Sequence, residues 1–130
     1  MKTPLRWIVG LVVVLHGLIH LLGAAKGLGW FAVTQLTRPI STTMGVAWLA
    51  AAVLLVVAGV MLVRRTRGWW LVGAAATASS QTVILTSWSD AKAGTVVNLL
   101  LLVAVGYGFA AHGRKSYRAE TETGAVTRLR

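Results

Sequence analysis

The chain has 130 residues, of which 56% are hydrophobic and only 12% are charged, against roughly 25% charged in an ordinary soluble domain. This balance excludes a disordered chain and disfavours a soluble globule, because the charges fall in short gaps between long apolar runs. The lack of cysteine excludes disulfides and thiolate metal sites, and three acidic residues are too few for a carboxylate metal cage. The composition therefore predicts a membrane protein.

Four apolar stretches are long enough to cross a bilayer, which takes about 20 helical residues. They lie at about residues 5–25, 43–63, 69–88 and 91–111. Pro4 suits the first turn of the first span, and Ser41 begins a cluster that can cap the second. Only Ser89 and Asp90 clearly interrupt the last two, which predicts an antiparallel hairpin.

The predicted fold class is thus an all-α membrane protein, with an antiparallel bundle of four transmembrane helices in residues 1–111. Residues 112–130 are polar and basic, and we expect a cytoplasmic tail with little fold of its own. The first span also resembles a signal peptide that ends at Gly23-Ala24-Ala25. It is longer than a typical signal core and carries two histidines, so a retained helix is the preferred interpretation.

The basic residues predict the orientation of this bundle. Three of the 13 Lys and Arg residues, Lys26, Arg38 and Lys92, fall on one side of the predicted membrane, and the other ten fall on the opposite side. Such a bias places both termini in the cytoplasm. The Arg64–Arg67 turn is read as a topology signal rather than a phosphate site, although it and the tail also attract anionic lipid headgroups. Nucleic acid is not an expected partner, because the tail offers little beyond Tyr117 for readout.

Four ionisable or amide side chains lie inside the predicted spans, where such groups are costly and often functional. They are His16, His20, Gln81 and Asn98. Residue counting at about 1.5 Å per residue places the last three roughly 8–10 Å below the outer surface, with His16 one turn deeper. We therefore expect these groups to converge on one outer-facing site, with Asp90 and Lys92 near its mouth.

The histidine pair has four interpretations at this point. An i, i+4 pair on one helix face can hold a metal. Asp90 is the only evident third ligand, however, and it lies nearer the outer membrane surface than the histidines, so it fits such a site poorly. Haem would need a second axial histidine, which a symmetric dimer could supply. The pair can instead bind an organic molecule such as a quinone, or simply hydrogen-bond across helices, worth roughly 1 kcal/mol each.

Asp90 and Lys92 also have structural explanations. Ser89 or Asp90 can cap the fourth helix, whose N-terminal end favours an anion, and Lys92 can pair with Asp90 at the surface. In the alternative, Asp90 forms a proton or cation port above the histidines. The segment 27–38, with Trp30 and Phe31, is expected either to lie along the outer interface or to fold over the polar site.

Two strings carry a family resemblance. The first runs from Leu15 to Lys26 (LHGLIHLLGAAK), and the second from Trp88 to Thr95 (WSDAKAGT), followed by Asn98. They resemble the first helix and the last hairpin of a family of small, largely uncharacterised bacterial four-helix membrane proteins, and the overall layout is also similar to DoxX-like membrane proteins. The resemblance implies four helices and a bacterial plasma membrane, and it supplies no activity.

The sequence thus predicts a small polytopic membrane protein with a ligand or cofactor pocket in its outer half, as in an accessory subunit that contacts quinone or haem. The predicted pocket residues are His16, His20, Gln81, Asn98, Asp90 and Lys92. The alternatives are a structural subunit of a larger membrane complex and a small transporter that works as a homo-oligomer. Whether the chain is an enzyme stays open, since no catalytic constellation identifies one.

Overall fold

The computed structural model describes the backbone of residues 1–128 and the side chains of residues 1–114 and 118–124. Over this range the chain is helical and has no strand, which confirms the all-α prediction. The helices are α1 (Thr3–Leu28), α2 (Thr42–Arg64), α3 (Trp69–Thr86), α4 (Trp88–Ala91) and α5 (Gly94–Arg128). Of the described helices, α1, α2 and α5 have both the length and the apolar composition that a membrane span requires.

The ends of α1 and α2 follow from local sequence. Pro4 lies in the first turn of α1, where its missing N–H costs no hydrogen bond. Gly29 ends α1 in the left-handed region, with φ of 69°. The Ser41 hydroxyl accepts a hydrogen bond of 3.2 Å from the backbone N–H of Met44, so Ser41 caps α2 as the sequence predicts.

Glycines allow α1 and α2 to approach each other closely. The Cα of Gly45 would lie 2.5 Å from a Cβ placed on Gly27, so the two backbones are in direct contact there. A Cβ on Gly10 would meet the carbonyl of Gly59 at 3.2 Å. The glycine-containing face of α1 is therefore a packing surface, and α2 is its partner.

The remaining helices complete the packing in chain order. α2 packs against α3, α3 packs against α5, and α5 also touches α1. One apolar cluster, which includes Val9, Leu55 and Leu101, fills the end near the N-terminus. A second cluster, which includes Ala24 and Trp48, fills the other end. Along α1, the two histidines lie between these clusters.

The last helix differs from its predicted bounds. The short helix α4 and a turn separate α3 from α5, so α5 begins at Gly94 rather than near residue 91. It continues to Arg128 through the segment that was expected to have little fold. The reason is local, because this segment has no proline and its Arg114, Arg118, Ala119, Glu120 and Glu122 favour helix.

Much of the outer surface of α1 and α5 is apolar. On α5, Val96 and Val103 are 71% and 73% exposed, and on α1 Ile8 and Leu11 are also exposed. Large apolar side chains that point outward along a whole helix suit a hydrocarbon solvent rather than water.

Candidate functional site

The two histidines of α1 lie one above the other because an i, i+4 spacing places both on one helix face. His16 is 5% exposed and His20 is 2% exposed. Their ring centroids are 4.5 Å apart, with the rings edge to face. His20 Nδ1 also lies 3.0 Å from the carbonyl oxygen of His16, a bond within one helix turn that fixes the His20 ring.

Ser80 of α3 is the central residue of a buried polar network. Its Oγ lies 2.9 Å from His20 Nε2 and 3.4 Å from His16 Nε2. The same oxygen lies 3.0 Å from Oδ1 of Asn98 on α5. Ser80 is fully buried, so this one hydroxyl joins three helices at a point that water does not reach.

The network continues from α5 back to α3. Asn98 Nδ2 donates to Gln81 Oε1 at 3.0 Å, and Gln81 Nε2 donates to the Thr95 hydroxyl at 3.2 Å. The structure thus brings His16, His20, Gln81 and Asn98 into one connected set, with Ser80 between them. Because each buried polar group has a partner, the set also fastens α1, α3 and α5 together.

Hydrogen atoms can be assigned along this network in two directions. A carbonyl oxygen only accepts, so His20 Nδ1 carries a hydrogen. With a neutral His20 ring, Nε2 accepts from Ser80, and Asn98 must turn its NH₂ group toward Ser80. With a cationic ring, Nε2 donates to Ser80, which then donates to Asn98. The direction of these hydrogen bonds therefore depends on the proton content of His20.

A cavity of about 320 Å³ lies beside the histidines. We call it the histidine cavity, and its lining residues are His16, Ile19, His20, Leu22, Gly23, Leu36, Trp48, Ile84, Asp90, Ala91, Ala93, Gly94 and Val97. Most of these side chains are apolar, so the two imidazoles and the Asp90 carboxylate are its ionisable groups. A largely apolar cavity with a few convergent polar groups is typical of a small-molecule site.

Trp48 of α2 forms one wall of this cavity. Its ring centroid lies 4.9 Å from that of His20, and the side chain is buried. The indole Nε1–H is buried without a hydrogen-bond partner among the described residues. An unpaired buried donor costs free energy, so this group is suited to donate to a ligand that carries an acceptor oxygen.

The loop between α1 and α2 reaches the histidine cavity, which Leu36 lines. Asp90 Oδ2 accepts hydrogen bonds from the backbone N–H groups of Thr37 at 2.7 Å and Arg38 at 2.9 Å. Its Oδ1 accepts one of 2.7 Å from the Thr37 hydroxyl. Lys26 also donates to the carbonyl of Leu36, which lines the cavity. The loop therefore folds over the polar site, as one of the two sequence interpretations proposed.

The roles expected for Asp90 and Lys92 need correction. Asp90 does not cap the long last helix, because it lies inside α4, and its recorded hydrogen-bond partners are loop residues and Ser89. No salt bridge joins Asp90 to Lys92 among the described residues; Lys92 is exposed and does not line the cavity. The sequence could not show this, since the loop that reaches Asp90 is more than 50 residues away.

The Asp90 carboxyl should titrate at unusually low pH. The backbone N–H of Arg38 and the hydroxyl of Thr37 stabilise its charged form and lower its pKa. A depressed folded-state pKa means that these bonds stabilise the fold above the ordinary carboxyl pKa of about 4 and lose that effect only as pH falls through the lower value.

The expected result is a carboxyl-carbon NMR titration midpoint for Asp90 below the ordinary value of about 4. Thr37→Val should raise this midpoint, because it removes the hydroxyl donor, whereas Thr34→Val in the same loop should leave it unchanged. An ordinary midpoint in the unaltered chain would show that the loop is not held by Asp90 in solution.

Metal and haem ligation fit this site less well than an organic ligand. The described residues contain no group of three or more His, Asp or Glu side chains placed to hold a metal ion. Both ring nitrogens of His20 are already hydrogen-bonded, to the His16 carbonyl and to Ser80. A metal on His20 would have to displace one of these bonds.

The sequence analysis assigned some of the site correctly and missed other parts. Of the six predicted residues, His16, His20 and Asp90 line the cavity, whereas Gln81 and Asn98 belong to the network behind it. The central role of Ser80 was missed, since a single serine in a helix is an ordinary residue. The only available signal was its place one residue before Gln81.

The fold and the site together define a small all-helical protein over the described residues. It has three helices that are long and apolar enough to cross a membrane, a buried polar network and an adjoining apolar cavity. No family model, curated protein or solved structure matches the chain. The family resemblance of the two sequence strings therefore stays a prediction.

Proposed function

We propose that this chain is a multi-pass protein of a bacterial plasma membrane, an antiparallel bundle in which α3 is the fourth span and both termini are cytoplasmic. The packing of α3 between α2 and α5 supports a spanning role, although its serines and Gln81 make it the least apolar of the four. Arg6, Arg65 and Arg67 line a common cavity at one end, as the proposed charge bias requires.

We propose further that the histidine cavity binds a small, lipid-soluble molecule with a carbonyl or hydroxyl headgroup, such as a quinone. The observation that carries this is the position of the buried histidine pair in the wall of an otherwise apolar cavity. Apolar walls favour a hydrophobic ring, and the polar groups fix its orientation.

The hydrogen-bonding groups of the cavity suit such a headgroup. The unpaired indole N–H of Trp48 can donate to a quinone carbonyl, and the imidazole of His16 or His20 can donate or accept. Because the hydrogen bonds behind His20 can be assigned in either direction, the network suits a ligand that gains or loses a proton. These features support an accessory redox subunit.

A second candidate function is supported by the same network. Its side chains bond one another across three helices, which is what a purely structural subunit of a larger membrane complex would need. The exposed apolar face of α5 would then contact a partner subunit as well as lipid. The small oligomeric transporter stays an expectation from the sequence alone.

The test uses a pair of neighbouring valines on α5. Val97 lines the histidine cavity, whereas Val96 is 71% exposed on the outside of the helix. Val97→Phe should narrow the cavity without removing any hydrogen bond, and it should weaken binding of a short-tailed ubiquinone analogue by about tenfold or more, or roughly 1.4 kcal/mol. Saturable quenching of tryptophan fluorescence in detergent measures this affinity.

Val96→Phe is the matched control and should bind the analogue like the unaltered chain. His112→Ala, at the opposite end of α5, should also leave binding unchanged. Equal affinities for Val97→Phe and Val96→Phe, or quenching that never saturates, would contradict ligand binding in this cavity and favour the structural role.

A further inference from the structure

A second cavity lies at the other end of the bundle, remote from the histidines. It has a volume of about 480 Å³ and is lined by Met1, Arg6, Leu62, Arg65, Thr66, Arg67, Gly68, Trp69, Trp70, Tyr107, Gly108, Ala111, His112 and Ala119. We call it the basic cavity. Three arginines line it, and no acidic side chain is among these residues, so its electrostatic potential is positive.

Arg6 is the most informative of these residues. Its Nε and Nη1 atoms are buried and have no hydrogen-bond partner among the described residues. A guanidinium stays charged in proteins and carries five donors, so burial of two unpaired donors is costly. Each of these two nitrogens forms, with Nη2, one of the two forks through which a guanidinium binds carboxylate and phosphate oxygens in pairs.

Further donors line the same cavity. The indole Nε1–H of Trp70 is also buried and unpartnered among the described residues. Trp70 belongs to the first turn of α3, which has neither an acidic residue nor a side-chain cap. The backbone N–H groups of Trp69 and Leu71 already donate to the carbonyls of Thr66 and Gly68, but the positive end of the α3 dipole still faces a cavity that has unpaired donors.

We propose that the basic cavity binds a phosphate group, held by the Arg6 guanidinium and the Trp70 indole with charge from Arg65 and Arg67. Phosphate suits the site because two of its oxygens can accept hydrogen bonds from one planar guanidinium. Its remaining oxygens can accept from further donors, which this cavity also provides. The group belongs either to an anionic lipid headgroup or to free phosphate. In the proposed orientation the cavity faces the cytoplasmic leaflet, where a phospholipid headgroup would reach it.

The experiment compares two arginines that carry equal charge at the same end of the molecule. Arg6 lines the cavity, whereas Arg64 is exposed and does not line it. The full chain is delipidated in a neutral detergent, and phosphatidylglycerol, phosphatidylcholine and inorganic phosphate are added in turn. Native mass spectrometry measures binding, and thermal unfolding measures the shift in Tm.

We expect one phosphatidylglycerol to bind tightly and to raise the Tm. Arg6→Gln should weaken this binding about tenfold or more and abolish the Tm shift, and Trp70→Phe should weaken it less. Arg64→Gln should behave like the unaltered chain. In the delipidated protein Arg6→Gln should unfold at the same or a higher temperature, because it removes a buried charge without a partner.

The outcomes separate the two sources of phosphate. Phosphatidylglycerol binding that inorganic phosphate does not displace identifies a lipid site, and displacement at millimolar phosphate identifies a free-anion site. Equal effects of Arg6→Gln and Arg64→Gln on both probes would overturn the proposal. So would equal binding of phosphatidylcholine and phosphatidylglycerol in the unaltered chain and in Arg6→Gln alike. Trp70→Phe keeps the test decisive if Arg6→Gln fails to fold.

Discussion

Ser80→Ala should destabilise the protein strongly for the loss of a single oxygen atom. The substitution removes the group that contacts His16, His20 and Asn98, and it leaves His20 Nε2 and Asn98 Oδ1 without their partner. Interhelical hydrogen bonds in membranes average about 0.6 kcal/mol each, but orphaned buried groups cost roughly 1–3 kcal/mol. We expect the free energy of unfolding to fall by about 1–3 kcal/mol.

Thermal unfolding in detergent measures this effect, with Ser79→Ala as the control. Ser79 precedes Ser80 on α3 but lies outside the network, so the same chemical change there should alter the Tm little. A Ser80→Ala protein as stable as Ser79→Ala would mean that the histidines and Asn98 do not depend on this hydroxyl.

Gly27→Ala should disrupt the contact between α1 and α2. The added Cβ would lie 2.5 Å from Gly45 Cα and 2.8 Å from Gly45 N, and backbone atoms cannot move aside as a flexible side chain can. Overpacking typically costs about 1–3 kcal/mol, and it outweighs the roughly 1 kcal/mol that alanine gains over glycine in a helix. The helices must separate, and the Tm should fall.

Gly106→Ala is the control for this prediction. A Cβ at Gly106 of α5 would meet nothing within 4 Å, so only the helix preference of alanine acts there. We expect the Tm to stay the same or rise by the equivalent of up to about 1 kcal/mol. If both substitutions were equally stabilising, the close approach of α1 and α2 would not exist in the folded protein.

The glycine contacts and the candidate site depend on each other. A Cβ on Gly23 would lie 2.2 Å from Cδ2 of Trp48, so only glycine lets the indole lie across α1 at this level. That position brings the Trp48 ring next to His20 and into the cavity wall. Substitutions that separate α1 from α2 should therefore also weaken ligand binding in the histidine cavity.

Helical class and span length were predictable because they depend on composition along the chain. A run of about 20 apolar residues has few alternatives to a helix in a bilayer, so α1 and α2 match their predicted spans within a few residues. The polar gap at Ser89 and Asp90 likewise marks the hairpin. The helical continuation of α5 was not expected, because polarity by itself does not distinguish a solvated helix from a coil.

The site was predictable only in part. Helix periodicity and depth counting were enough to gather His16, His20, Gln81 and Asn98 at one level, since i, i+4 spacing and a fixed rise per residue are local properties. They could not show that Ser80 lies among these groups or that Asn98 bonds both Ser80 and Gln81. Those pairings depend on the rotation of α3 and α5 about their axes.

What the sequence by itself determined is an all-helical chain with apolar helices, a basic end and a buried histidine pair, because burial of apolar surface and the helix repeat act on each segment separately. The tertiary structure decided which polar groups meet, that Asp90 holds the loop instead of capping α5, and that Arg6 and Trp70 share a cavity. These are contacts between residues far apart in the chain. They are set by how closely glycine allows α1 and α2 to pack and by how the other helices then fit around them.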